Sequence, residues 1–132
     1  MEAIIPYLNF NGNAVEALAF YCKALNGAVT MQSTFGEANM AQDDKMKNKI
    51  LHAVFEMGSL KFMDSDCPPG VSTLSGNQVS LSLNFTSLEA IEHTFAALAE
   101  GGTVTMPIQD TFWGARFAMT KDKFGVHWMF NY

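Results

Sequence analysis

Short apolar runs alternate along this chain with polar, glycine-bearing breaks, and the apolar spacing changes from run to run. Residues 3–10, Ala-Ile-Ile-Pro-Tyr-Leu-Asn-Phe, are β-rich and end at Asn11-Gly12. Pro6 has no N–H to give, which predicts an edge strand. From Ala14 the period lengthens: Val15, Leu18, Ala19, Cys22 and Leu25 recur at helical spacing, with Asn13 as the expected cap and Asn26-Gly27 as the left-handed stop. Cys22, within that stripe, reads as a buried thiol. Ala28–Thr34 is the next predicted strand. Phe35–Asn48 has no period and reads as a long loop, of a length that compact domains usually keep for function or mobility. Ile50–Met57 and Leu60–Ser65 then pair as a hairpin over Gly58-Ser59.

After a second polar loop, Asp66–Asn77, the same order returns. Val79, Leu81, Leu83 and Phe85 alternate with Ser80, Ser82 and Asn84, the period-two mark of a strand with two unlike faces. Thr86-Ser-Leu-Glu89 has the form of a capping box, and Leu88, Ile91, Phe95 and Leu98 continue as a helix that Gly101-Gly102 stop. Thr103–Ile108, Phe112–Thr120 and Val126–Asn131 supply three more strands, the last two joined by the turn Asp122-Lys-Phe-Gly125. Both halves read β-α-β-β-β. One domain over residues 1–132 is expected, made of modules over 1–66 and 78–132.

Composition narrows the function. A net charge of −5, from 13 acidic and 8 basic residues, comes with no Lys/Arg cluster, so nucleic acid is not an expected partner. No apolar run reaches the ~18–20 residues of a membrane span, and Met-Glu-Ala-Ile-Ile-Pro has no basic stretch of the kind that opens a signal peptide. The cytoplasm is the expected location. Cys22 and Cys67 match no metal or redox spacing. Eleven Phe and nine Met point to a core rich in large side chains and to a pocket that adapts to apolar ligands.

A doubled β-α-β-β-β unit of this length resembles the vicinal oxygen chelate superfamily of glyoxalase I, bleomycin-resistance proteins and extradiol dioxygenases. Pro6-Tyr-Leu-Asn-Phe10, Ala17-Leu-Ala-Phe-Tyr21, His52-Ala53, Met63-Asp-Ser-Asp66, Asp110-Thr-Phe-Trp-Gly114, Asp122-Lys-Phe-Gly-Val126 and Trp128 resemble its PhnB-like branch more closely. The resemblance implies an α+β fold in which two βαβββ modules form a curled, mostly antiparallel sheet cup with the helices outside, and it implies a homodimer. Metal-dependent members of the superfamily take ligands from the first and fourth strand of each unit, usually His or Glu. The matching positions here are Pro6, Met63, Gln78 and Met129, a poor donor set for a hard divalent ion. No metal and no cofactor are therefore expected. A methyltransferase heading often attached to this branch is not carried over, because no glycine-rich turn for S-adenosylmethionine follows a strand.

With Met63 facing into the cup, alternation brings Lys61, His52, Val54 and Glu56 to the same face, and Gln78, Ser80, Ser82, His127 and Met129 from the second module. His52 and His127 each have two readings: a hydrogen bond to strand neighbours, or a proton-transfer or ligand-anchoring group. Glu56 and Lys61 are cross-strand neighbours whose simplest role is an ion pair. Trp113 is a core anchor or an aromatic wall for a planar ligand, while Trp128 faces away from the cup. Arg116 has two readings: with Lys61, a candidate for an anionic ligand group, or a surface residue. Those twelve residues are the predicted site: His52, Val54, Glu56, Lys61, Met63, Gln78, Ser80, Ser82, Trp113, Arg116, His127 and Met129. The expected function is binding of a small, partly apolar molecule without a metal. The alternative is a metal-dependent lyase, isomerase or dioxygenase with Glu56, His52 and His127 as an atypical ligand set.

Overall fold

The computed structural model describes residues 1–132, which divide into two compact units, Met1–Thr73 and Leu74–Tyr132. The first holds β1 (Tyr7–Phe10), α1 (Ala14–Leu25), β2 (Ala28–Thr34), β3 (Ile50–Met57) and β4 (Leu60–Asp66). The second holds β5 (Leu81–Asn84), α2 (Leu88–Ala99), β6 (Thr103–Asp110), β7 (Arg116–Lys121) and β8 (His127–Asn131). Each unit forms its own four-stranded mixed sheet, in the orders β1-β4-β3-β2 and β5-β8-β7-β6. The first strand of each unit pairs in parallel with the last, and the remaining pairs are antiparallel. The doubled α+β architecture is thus present, as two open sheets. No helix is long and apolar enough to cross a membrane.

In each unit the helix covers one sheet face. In the first, Phe10, Tyr21, Phe55 and Phe62 are buried between α1 and the sheet, with Phe55 stacked on Phe62 at 4.6 Å and Tyr21 edge-on to Phe62 at 5.5 Å. The apolar stripe of α1 differs from the expected one. Ala14, Ala17, Leu18, Tyr21, Ala24 and Leu25 are buried, whereas Val15 and Ala19 are exposed and Cys22 is half-buried. Small alanines let the helix approach closely and leave room for the Tyr21 ring, which decides between two stripes of similar hydrophobicity. Gly27 follows from the same closeness, since a Cβ there would strike the Phe55 ring and the Glu56 carbonyl.

Two helix caps also differ from expectation. Asn13 makes no side-chain cap bond; the Asp66 carboxylate instead accepts the Ala14 N–H at 2.9 Å with one oxygen and the Ile50 N–H at 2.8 Å with the other. One buried side chain on β4 therefore fixes both the start of α1 and the start of β3. On α2 the cap is Ser87, which accepts the Ala90 N–H at 3.1 Å, one residue beyond the expected Thr86.

In the second unit Trp128, Phe130, Ile91 and Leu98 are buried, with Phe95 edge-on to Phe130 at 5.4 Å. The β7–β8 turn is organised by Asp122. Its carboxylate accepts the Phe124 and Val126 N–H groups at 2.8 and 3.1 Å and the Trp128 Nε1–H at 2.8 Å. Gly125 closes that turn at φ 91°, a region that favours glycine.

Candidate functional site

Strand register defines a second, open face on each sheet, opposite the helix. On the first sheet Tyr7 pairs with Met63, Met63 with Val54, and Val54 with Met31, so these four side chains form one row across all four strands. On the second sheet Ser82 pairs with Met129, Met129 with Met119, and Met119 with Met106, the same row in the repeated unit. A shift of register near the edge lies just before Met31 in β2 and just before Met106 in β6. Three of four row positions in the second sheet and two in the first are methionine, an unbranched, polarisable side chain that moulds itself to apolar shapes.

Around the first row lie the predicted residues His52, Glu56 and Lys61, with Ser33 opposite His52. His52 is held by a residue that the sequence did not single out. The Tyr7 hydroxyl lies 3.1 Å from His52 Nδ1, and the two rings stack at 5.7 Å with 25° between planes. Strand β1 begins at Tyr7, after Pro6, so Tyr7 and not Pro6 faces Met63. A single-residue offset reverses the face, and that is why Tyr7 was missed. Glu56 and Lys61 pair in register as expected, yet no ion pair joins them, and both charges remain on the open face.

In the second sheet Ser82, His127 and Met129 share the open face as expected, since Leu83, Trp128 and Phe130 take the buried one. Trp128 faces away from the row, as its alternation requires. Gln78 and Ser80 precede β5 and are not part of the sheet; the strand begins only at Leu81. Trp113 lies in the β6–β7 turn, 62% exposed and edge-on to Phe112 at 4.9 Å, so it is neither a core anchor nor on a sheet face. Arg116 is a further correction. In β7 it shares a face with buried Ala118 and Thr120, and its guanidinium bonds Glu92 of α2 at 2.9 Å and Asp110 at 3.1 Å. It sits on the helix side and is engaged there.

One titratable group lies outside the predicted set. Asp64 on β4 is fully buried on the helix side, between Leu8 and Ala53 in register, and neither carboxylate oxygen has a hydrogen-bond partner. Burial, and then the neighbouring Asp66 charge, push its pKa up from 3.8 to about 7. The Phe35–Asn48 segment forms turns around a separate polar concavity of about 690 Å³, lined by Thr34, Glu37, Asn39, Asp43 and Lys47 among others. Its polar and charged lining differs in chemistry from the methionine row of the same unit.

A sequence model of the 3-demethylubiquinone-9 3-methyltransferase family matches residues 2–130. The chain belongs to this PhnB-like family. It is 34% identical to Protein YjdN of Escherichia coli K12, over 96% of this chain and 92% of that protein. The crystal structure of PA1353 from Pseudomonas aeruginosa is similar at 43% identity and TM-score 0.89, covering 99% of this chain and 97% of the other. A Bacillus cereus protein described as a putative 3-demethylubiquinone-9 3-methyltransferase, PhnB protein, is 25% identical with TM-score 0.78, at 98% coverage of both chains. A glyoxalase/bleomycin resistance/dioxygenase family enzyme from Burkholderia phytofirmans shares the fold, at TM-score 0.65 and 17% identity over 98% of each chain. The PhnB-like branch of the glyoxalase fold, read from the sequence, is confirmed.

Neither group implied by this kinship fits the residues present. The positions facing each other on the first and last strands are Tyr7 and Met63 in one unit and Ser82 and Met129 in the other, a phenol, a hydroxyl and two thioethers. Thioethers suit soft ions and not the hard divalent metals of this fold. Within either unit no three His, Cys, Asp or Glu side chains come together as a metal-holding group. S-adenosylmethionine generally takes a glycine-rich turn between strand and helix. The turns leading into α1 and α2 are Asn11-Gly12-Asn13 and Phe85-Thr86-Ser87.

Proposed function

We propose that this protein binds a small, partly apolar molecule on the methionine-rich open faces of its sheets, without a metal. The observation that carries this reading is the repeated row, Tyr7-Met63-Val54-Met31 in one unit and Ser82-Met129-Met119-Met106 in the other. Neighbouring strands lie about 4.8 Å apart, so a four-strand row spans roughly 14 Å, enough for a one- or two-ring molecule. Polar groups beside the row, Tyr7, His52, Glu56 and Lys61 on one sheet and His127 on the other, give such a ligand orientation. Binding without chemistry is a complete function on this fold, where resistance proteins sequester their ligands. The same reading has the protein working in the cytoplasm as a homodimer.

The test is a small-molecule screen by thermal shift, followed by calorimetry on the hits with Met63→Glu and Met129→Glu. A carboxylate in the middle of either row should weaken hits at least tenfold, because it must be desolvated to admit an apolar ligand. Both positions are half-buried strand sites on the open face, so the melting temperature should move little. Unchanged affinity in both variants would sink the proposal.

A further inference from the structure

The Tyr7–His52 contact carries a more specific consequence, which rests on the binding function just proposed. The hydroxyl and Nδ1 are 3.1 Å apart, and two arrangements of hydrogen satisfy that distance. In one the phenol donates to Nδ1; in the other Nδ1–H donates to the phenol oxygen. A phenol, with a pKa near 10, is a far better donor than a neutral imidazole N–H, and an imidazole nitrogen is the better acceptor. The first arrangement is therefore favoured. Nδ1 is occupied as an acceptor, and the proton of the neutral ring sits on Nε2.

We infer that Tyr7 is a positioning residue that holds His52 as an Nε2–H donor for a neutral carbonyl group on the ligand's apolar body. Ring stacking at 5.7 Å supports the same role, because it fixes the imidazole plane as well as its tautomer. The adjacent Val54–Met63 pair takes the apolar body, two residues along β3 from His52 and on the same face. Charge argues for a neutral carbonyl and against a carboxylate. Glu56 and Lys61 leave this face with no net charge, and the chain as a whole carries −5, so no excess of positive charge draws a carboxylate here. The feature belongs to the first unit alone. The second places Ser82 beside Met129, and Phe117 opposite Asn131, on its open face, with no imidazole held by a phenol.

The experiment uses ¹⁵N-labelled full-length protein and two probes of nearly equal shape, acetophenone and α-methylstyrene, which differ in C=O against C=CH₂. Long-range ¹H–¹⁵N spectra should find His52 in the Nε2–H form. Titration should show acetophenone binding about five- to tenfold more tightly than α-methylstyrene, the effect of about one hydrogen bond. His52→Phe should abolish that preference. Tyr7→Phe, which keeps the ring and removes the hydroxyl, should narrow it and broaden the tautomer signals. An Nδ1–H ring in the wild type, equal binding of the two probes, or a preference that survives His52→Phe would each overturn the inference. Failure of the wider binding function looks different: no compound of any class would engage either methionine row, whatever the tautomer of His52.

Discussion

Replacing Asp64 by asparagine should stabilise this protein at alkaline pH and not at acidic pH. The Asp64 carboxyl is fully buried, lacks any hydrogen-bond partner, and lies near Asp66, whose two oxygens already hold the Ala14 and Ile50 N–H groups. Burial first, and then the Asp66 charge, raise its pKa from 3.8 to about 7. Between those values the folded protein binds a proton that the unfolded chain has released. Stability therefore falls as pH rises from about 4 to about 7 and levels off above, where both states are ionised. Moving one acid from 3.8 to about 7 corresponds to about 4 kcal/mol across that window. Asparagine has no charge to lose but leaves a buried amide unpaired, at about 1–3 kcal/mol. The expected net gain for Asp64→Asn is thus about 1–3 kcal/mol at pH 8, vanishing or reversing at pH 4.5. The repeated unit agrees: with Met63 matched to Met129, the place of Asp64 is taken by Phe130, a residue with no charge to bury. Urea unfolding of both proteins at pH 4.5, 6 and 8 gives the comparison, and reading the difference between them cancels other carboxylates. A difference that does not change with pH, or a variant less stable at pH 8, would refute the reasoning.

Two further predictions concern the turn and the metal. Asp122→Ala should cost about 2–4 kcal/mol in urea unfolding, because it removes the acceptor of the buried Trp128 indole N–H and of two turn amides. A loss below about 1 kcal/mol would show that the turn does not depend on this carboxylate. Protein dialysed against Zn, Mn, Fe or Ni and then against metal-free buffer should retain far less than one equivalent by elemental analysis, since neither Tyr7 with Met63 nor Ser82 with Met129 is a strong donor pair.

The order of elements was legible because hydrophobic period and turn chemistry agree in both halves. Details failed where two patterns compete or where a partner is remote in sequence. On α1 the Val15/Ala19/Cys22 stripe and the Ala14/Ala17/Tyr21 stripe are both helical in spacing, and only packing of Tyr21 against Phe62 separates them. Tyr7 escaped notice because a one-residue offset in β1 changes the face a side chain takes. Asp66 as the cap of α1 has no local signal at all, since its target N–H is 52 positions away. Arg116 was a candidate for an anionic ligand because charge alone nominated it, while the face it shares with Ala118 and Thr120 turns it to Glu92. His52, Val54, Glu56, Lys61 and Met63 fall on one sheet face, as their alternation predicts, because one hairpin with a two-residue turn fixes both register and face.

The methionines themselves offer the most direct test of the binding function. With ¹³C-methyl methionine, the nine side chains report on separate places: Met31, Met63, Met106, Met119 and Met129 in the rows, Met40 and Met46 in the 35–48 loop, Met1 at the terminus and Met57 at the end of β3. Titration with hits from a small-molecule screen should shift the row methyls and leave Met1, Met40 and Met46 in place. Shifts confined to the loop and terminus would contradict the account, as would a broad apolar screen that moves no methionine at all.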